Sequence, residues 1–160
     1  MIRYVRSDIL TADVQILVNP VNCVGVMGKG LALRFARVFP DNRRAYALAC
    51  SERRLAPGRL FVFETGRRGR AETIVNLPTK RHWRDPSRIE DVASGIAALA
   101  ELTGKRGFAS LAVPKLGCGL GGLDWPEVRP MIEAAFAALP EVFVQVHGPG
   151  PAGSPAGGHP

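Results

Sequence analysis

The sequence predicts one α/β layered domain, and three observations carry that expectation. Short β-branched and aromatic runs alternate with long amphipathic segments, the pattern of strands packed between helices. Two glycine-dense segments each lie between a predicted strand and a predicted helix, where open α/β sheets bind ligands. The chain has 160 residues, 46% apolar and 22% charged, which suits a single globular domain with a full core and excludes a disordered or fibrous chain.

In chain order, Ile2–Arg6 reads as a first strand and Ile16–Val18 as a second, stopped by Asn19-Pro20. Gly25–Gly30 is a glycine-rich loop. Leu31, Leu33, Phe35 and Val38 then predict a helix ended by Pro40, and Asp41 is placed to cap a second helix through about Glu52. Leu60–Phe63 and Thr73–Leu77 read as strands joined through a turn at Arg67–Arg70. Ser87 is the expected cap of a long helix to about Leu102, with Ile89, Val92, Ile96 and Leu99 at helical spacing. Phe108–Val113 is a buried strand, Gly117–Gly122 the second glycine loop, Pro126–Leu139 a helix and Val142–Val146 the last strand. Residues 148–160 are rich in Gly, Pro and Ala and read as a tail or linker, leaving 1–147 as the folded domain.

The formal charge is +7, but it is unevenly placed. Residues 1–88 carry 17 basic and 7 acidic residues, whereas residues 89–160 carry 4 and 7. Such a bias fits a surface for a polyanion such as nucleic acid, and equally a chain whose arginine usage follows its genome's base composition. No apolar run approaches the ~18 residues of a membrane span. Charged Arg3, Arg6 and Asp8 argue against a secretory signal, and Cys23, Cys50 and Cys118 cannot all pair, so reduced thiols and a cytoplasmic location are expected.

Gly25-Val26-Met27-Gly28-Lys29-Gly30 runs from a strand end toward a helix. Glycines let backbone N–H groups ring an anion, and the helix terminus adds positive potential. It is neither a P-loop, since Gly30 follows Lys29 where Ser or Thr is needed, nor a dinucleotide fingerprint. Gly117-Cys118-Gly119-Leu120-Gly121-Gly122 has four glycines in six positions, a density that a merely connecting loop rarely needs. Together the loops suggest a diphosphate held from two sides. Asn22 has an amide suited to sugar hydroxyls, while Asn19 beside Pro20 reads as a turn residue. Asp8, just past the first strand, is either a cap or an acceptor for an exocyclic amine. His82, His147 and His159 lack paired metal-ligand spacing, so no metal is expected.

Three ordered motifs then carry a resemblance: Ser7-Asp8-Ile9-Leu10; Val18-Asn19-Pro20-Val21-Asn22 with Gly28-Lys29-Gly30; and Val113-Pro114-Lys115-Leu116 leading into Gly117–Gly122. Over residues 2–147 the chain resembles a macrodomain, a family that binds ADP-ribose. Asn76-Leu77-Pro78-Thr79-Lys80-Arg81-His82-Trp83-Arg84 resembles the DarG antitoxin branch, DNA ADP-ribosylglycohydrolases that reverse the DarT toxin and are related to the lysine-dependent terminal ADP-ribose glycohydrolases. The resemblance implies a three-layer α/β/α domain with a mixed central sheet. It implies that Asp8 and the Ile9 amide read adenine, and that Gly28, Lys29, Gly30 and Leu31 hold the diphosphate together with Gly117, Cys118, Gly119, Leu120, Gly121 and Gly122. Asn22 would bind the distal ribose, His147 would lie near adenine, and Lys80 would be catalytic. Arg81, His82, Trp83 and Arg84 would contact DNA.

The lysine-dependent relatives carry an Asp in the second glycine loop; Gly121 stands there in this chain, with Asp124 three residues on. The function implied is removal of ADP-ribose from nucleobases of single-stranded DNA. The alternatives are hydrolysis of protein or O-acetyl ADP-ribose, or binding of ADP-ribose without turnover. No cofactor is implied, ADP-ribose being ligand and product. The expected partners are ADP-ribosylated single-stranded DNA and a DarT-like toxin, the latter through a C-terminal domain beyond this sequence, with the chain itself a monomer off the membrane.

Overall fold

The structure is a computed structural model that describes residues 1–154. It contains strands β1 (Ile2–Val5), β2 (Ile16–Val21), β3 (Phe61–Glu64), β4 (Thr73–Pro78), β5 (Ser110–Pro114) and β6 (Phe143–His147). The helices are α1 (Gly30–Val38), α2 (Pro40–Ser51), α3 (Ile89–Arg106) and α4 (Trp125–Ala137). The strands form one sheet in the order β1-β6-β5-β2-β4-β3, parallel except for β3, which runs antiparallel to β4.

Strand alternation builds the three layers. Ile16 and Val18 of β2, Val75 and Leu77 of β4, and Val144 and Val146 of β6 pack with Val92, Ile96 and Leu99 of α3 and with Val128, Ile132 and Phe136 of α4. On the opposite face, Leu17 and Ile74 join Phe35 and Phe39 around α1, while Val21 joins Tyr46 and Ala49 of α2. The result is a mixed sheet between two helical layers.

Several local readings are corrected. β2 does not stop at Asn19-Pro20: it pairs with β4 through Val21, in the register Asn19↔Asn76, Pro20↔Leu77 and Val21↔Pro78. The Val21 carbonyl accepts from Thr79 N–H on the β4 side. Alternate residues face opposite neighbours, so the Pro20 nitrogen faces β5, where the ladder has already ended at Leu17↔Ala112 and no donor is needed. Asn19 is accordingly no turn residue. It is fully buried, and its Nδ2 donates to Asn76 Oδ1 at 3.1 Å.

Asp41 is not the cap of α2: Phe39 holds that position and Pro40 opens the helix, its fixed φ suiting the first turn, where Asp41 also lies. Arg88 rather than Ser87 is the cap of α3, and Phe108 and Ala109 precede β5. Packing also runs past residue 147, since Trp125 Nε1 donates to the Pro149 carbonyl at 2.7 Å. Residues 155–160 of the expected tail lie outside the described residues. No described helix is long and apolar enough to cross a membrane.

Candidate functional site

The parallel strands β1, β2, β4, β5 and β6 all end at one edge of the sheet, and a cavity of about 820 Å³ opens there. Its position follows from strand pairing. β2 pairs with β4 over six positions but with β5 over only two, so a cleft opens between β2 and β5 beyond Leu17. Pro20, with no N–H to extend the β5 ladder, stands on one wall and Pro114 on the other. This is also the place where successive strands switch to the other side of β2, where α/β folds bind ligands.

At one end stand Asp8, Ile9 and His147. Asp8 caps the 3-10 turn Ile9–Thr11: its Oδ1 accepts from Leu10 N–H at 3.0 Å, and its other oxygen pairs with Arg34 of α1. The backbone donor, reinforced by the Arg34 guanidinium, holds the Asp8 carboxyl below its ordinary range. His147 lies within 2.9 Å of the Ser7 carbonyl through Nδ1 and of Gln145 Oε1 through Nε2. Burial holds it toward the neutral form, against the opposing pull of the Ser7 carbonyl and Asp8.

The two glycine loops form the middle. Gly28, Lys29, Gly30 and Leu31 line the cavity, with Lys29 at the cap position of α1 and no side chain capping that terminus, so the first N–H groups of the helix remain for a ligand. Gly117, Gly119, Leu120 and Gly121 line it from the other side. Cys118 and Gly122 do not. Cys118 N–H donates to the Lys115 carbonyl and Gly122 N–H to that of Gly119, so both shape the loop.

Gly121 admits no side chain: a Cβ there would lie 2.2 Å from Ser87 Oγ and 2.4 Å from the Gly117 carbonyl oxygen. The acid that lysine-dependent relatives carry at this point is therefore sterically excluded here. Asp124 is exposed at the cap of α4 and does not line the cavity.

At the far end are Asn22, Lys80 and Trp83. Asn22 is buried, and its side chain holds its own loop together. Oδ1 accepts from Val24 N–H at 3.0 Å and from the Tyr46 hydroxyl at 2.8 Å, while Nδ2 donates to the Val26 carbonyl at 2.8 Å. One Nδ2 hydrogen is left over. Lys80, two residues past β4, is partly buried, with its Nζ 3.5 Å from the Trp83 carbonyl. Arg81 is turned away from the cavity onto Asp91, at 3.0 and 3.2 Å, and that pair raises the guanidinium pKa further. His82 and Arg84 also lie outside the lining but flank Trp83. The His82 ring is 5.0 Å from Trp83, and the Arg84 guanidinium is 5.4 Å above the indole.

Lining residues to which the sequence assigned no site role include Arg34, Val26, Thr79 and Lys115, the last three lying within motifs quoted above. Arg34 had a usable signal, since it lies one helical turn beyond Gly30 and shares its face. Among the described residues no group of three or more His, Cys, Asp or Glu side chains is placed to hold a metal ion.

The profile of the Macro domain family matches residues 18–132. A curated DNA ADP-ribosyl glycohydrolase of Thermus aquaticus is 48% identical over 93% of this chain. The chain spans 41% of that relative's length. The solved macrodomain of Mycobacterium tuberculosis DarG superposes with a TM-score of 0.91 at 44% identity, covering 94% of this chain and 99% of that one. Thermosipho africanus DarTG, solved in complex with ADP-ribose, superposes with a TM-score of 0.83 at 37% identity, covering 91% of this chain and 40% of the other. This chain belongs to the Macro domain family.

Proposed function

We propose that this macrodomain hydrolyses the N-glycosidic bond between ADP-ribose and a nucleobase of single-stranded DNA, as the antitoxin to a DarT-type transferase. One observation carries the reading furthest: Lys80 lines the cavity beside a half-exposed Trp83, in a segment rich in cations. The names of the similar proteins support it. In this arrangement Asp8 accepts from the adenine amine and the Ile9 amide donates to the ring. The two glycine loops bind the diphosphate through backbone N–H groups, and Asn22 offers its spare N–H to the distal ribose.

Lys80 then stands at C1″. Hydrolysis adds water at C1″, breaks the bond to the base nitrogen and returns a proton to the base. Lys80 serves it by one of two routes: as the free amine it attacks C1″ of the opened sugar to form an imine that water resolves, or it carries the proton between water and base.

Lys80→Ala is expected to abolish release of ADP-ribose from a modified oligonucleotide while ADP-ribose still binds; unchanged turnover overturns the assignment. ADP-ribosylated protein run in parallel separates the protein-directed activity. Because Gly121 leaves no room for a second catalytic acid, binding without turnover is the competing reading, and release of no ADP-ribose from either substrate would establish it. Borohydride trapping of a covalent adduct distinguishes the imine from the proton shuttle.

A further inference from the structure

Exposed apolar side chains are concentrated at one place. Among the described residues seven large hydrophobic side chains are exposed, and four of them lie in the segments around the cavity's mouth: Val24 at 45%, Val26 at 42%, Trp83 at 52% and Leu120 at 65%. Val26, Trp83 and Leu120 line the cavity itself. Exposing apolar surface costs free energy, so a cluster at the entrance of a cavity marks a binding surface.

The cluster is held in shape. The loop carrying Val24 and Val26 is tied down through Asn22, whose Oδ1 accepts from both backbone N–H groups, at 3.0 and 3.4 Å. The same loop is stitched to the segment after β4. Cys23 N–H donates to the Arg81 carbonyl at 3.3 Å, and the Cys23 thiol lies 3.5 Å from the Lys80 carbonyl. Burial raises the pKa of that thiol to about 11, so it meets the carbonyl as a neutral group. From the opposite loop Leu120 reaches across to α1, with Cδ1 3.4 Å from where a Gly30 side chain would begin.

Building on the DNA-directed reading above, we propose that Val26 and Trp83 form the subsite for the nucleobase that carries ADP-ribose. The observations select an aglycone with a flat π-face. Trp83 supplies a stacking surface, Val26 an aliphatic contact in the same cavity, and Arg84 beside the indole a cation for an adjoining phosphate. Asp8 is the one carboxylate among the lining residues, and it lies at the other end of the cavity, paired with Arg34. Lys80 then stands between the diphosphate loops and the base, where the glycosidic bond must lie. An acidic side chain of a protein has no aromatic face to stack on the indole.

The test compares Trp83→Ala, Trp83→Phe and Val26→Ser with the wild type on a single-stranded oligonucleotide bearing one ADP-ribosylated base and on ADP-ribosylated protein. Free ADP-ribose binding is measured by calorimetry. Trp83→Ala is expected to raise KM for the oligonucleotide by about ten-fold or more, Val26→Ser by roughly three-fold, and Trp83→Phe to restore most of the loss. Affinity for free ADP-ribose, which lacks the modified base, falls by less than the oligonucleotide KM rises in all three. Unchanged oligonucleotide kinetics overturn the subsite, as does a parallel loss of ADP-ribose affinity. An equal loss on the protein substrate overturns it too, and makes the patch a protein-docking surface. If the wild type releases nothing from the oligonucleotide, the DNA-directed reading itself fails, and the subsite with it.

Discussion

Gly121→Ala is the substitution whose consequence follows most directly from the coordinates. The new methyl carbon would lie 2.2 Å from Ser87 Oγ and 2.4 Å from the Gly117 carbonyl oxygen. Both are more than about 1 Å short of the ~3.5 Å at which such atoms rest. Ser87 is anchored, since its own N–H donates to the Gly121 carbonyl at 2.9 Å, and the Gly117 oxygen is backbone that also accepts from Leu123 N–H at 2.9 Å. The Ser87 hydroxyl has no hydrogen-bond partner among the described residues and can turn about χ1, but the Gly117 oxygen is backbone, so the loop itself must open. Overpacking of this kind costs about 1–3 kcal/mol of stability. With the loop holding a diphosphate as proposed, an opening of that size also withdraws at least one backbone donor from it, worth roughly 1.5–3 kcal/mol for a charged acceptor, or about 10- to 100-fold in Kd.

Calorimetric titration with ADP-ribose measures the second effect and thermal unfolding the first. Adding Ser87→Ala removes the hydroxyl but leaves the Gly117 clash, so only part of the loss should return. A folded Gly121→Ala protein with wild-type affinity would refute the reasoning, and complete recovery in the double variant would show that the hydroxyl alone was responsible.

Three other outcomes are expected. Tyr46→Phe removes the hydroxyl that meets the Asn22 carbonyl and Oδ1, each at 2.8 Å, inside the core, and should cost about 1–3 kcal/mol in denaturant unfolding; no change would mean that the loop holds itself. His147 is held below its ordinary value, so in the window between its lowered value and ~6.5 the unfolded chain binds more protons, and stability from this group is lost as pH falls through that window. His147→Gln should therefore lose less stability than the wild type between pH 7 and pH 5, and an equal loss would refute the burial argument. Binding of a modified oligonucleotide should weaken as salt rises if Arg84 and its neighbours meet phosphates, whereas ADP-ribose binding should respond less; parallel salt slopes would exclude that contact.

What could be read from the chain were the features whose cause is local. Both glycine loops, the helical stripe Ile89–Leu99 and the placement of Lys80 just past a strand depend on spacing and residue type within a few positions, and all stand where expected. The same local logic misplaced Pro20 and Asn19, because a proline stops a strand only where its missing donor would have been used. Here the ladder with the partner strand on that side ends three residues earlier, at Leu17. Asn22 was legible as a polar residue near the site, but that its amide is largely spent on Val24, Val26 and Tyr46 was not. Asp41 and Ser87 each have a capping side chain and were outcompeted by a neighbour that the chain path placed at the helix start.

By itself, then, the sequence determined the layered class, the order of its elements, the two glycine loops and the candidate lysine, all of which follow from periodicity and short-range chemistry. Only the tertiary structure decided where the cleft opens, that Gly121 has no room for an acid, that Arg81 is spent on Asp91, and that Trp83 stands in solvent rather than in the core. Those outcomes depend on atoms brought together from distant parts of the chain, by strand register and by the packing of helices on the sheet, and no local pattern encodes them.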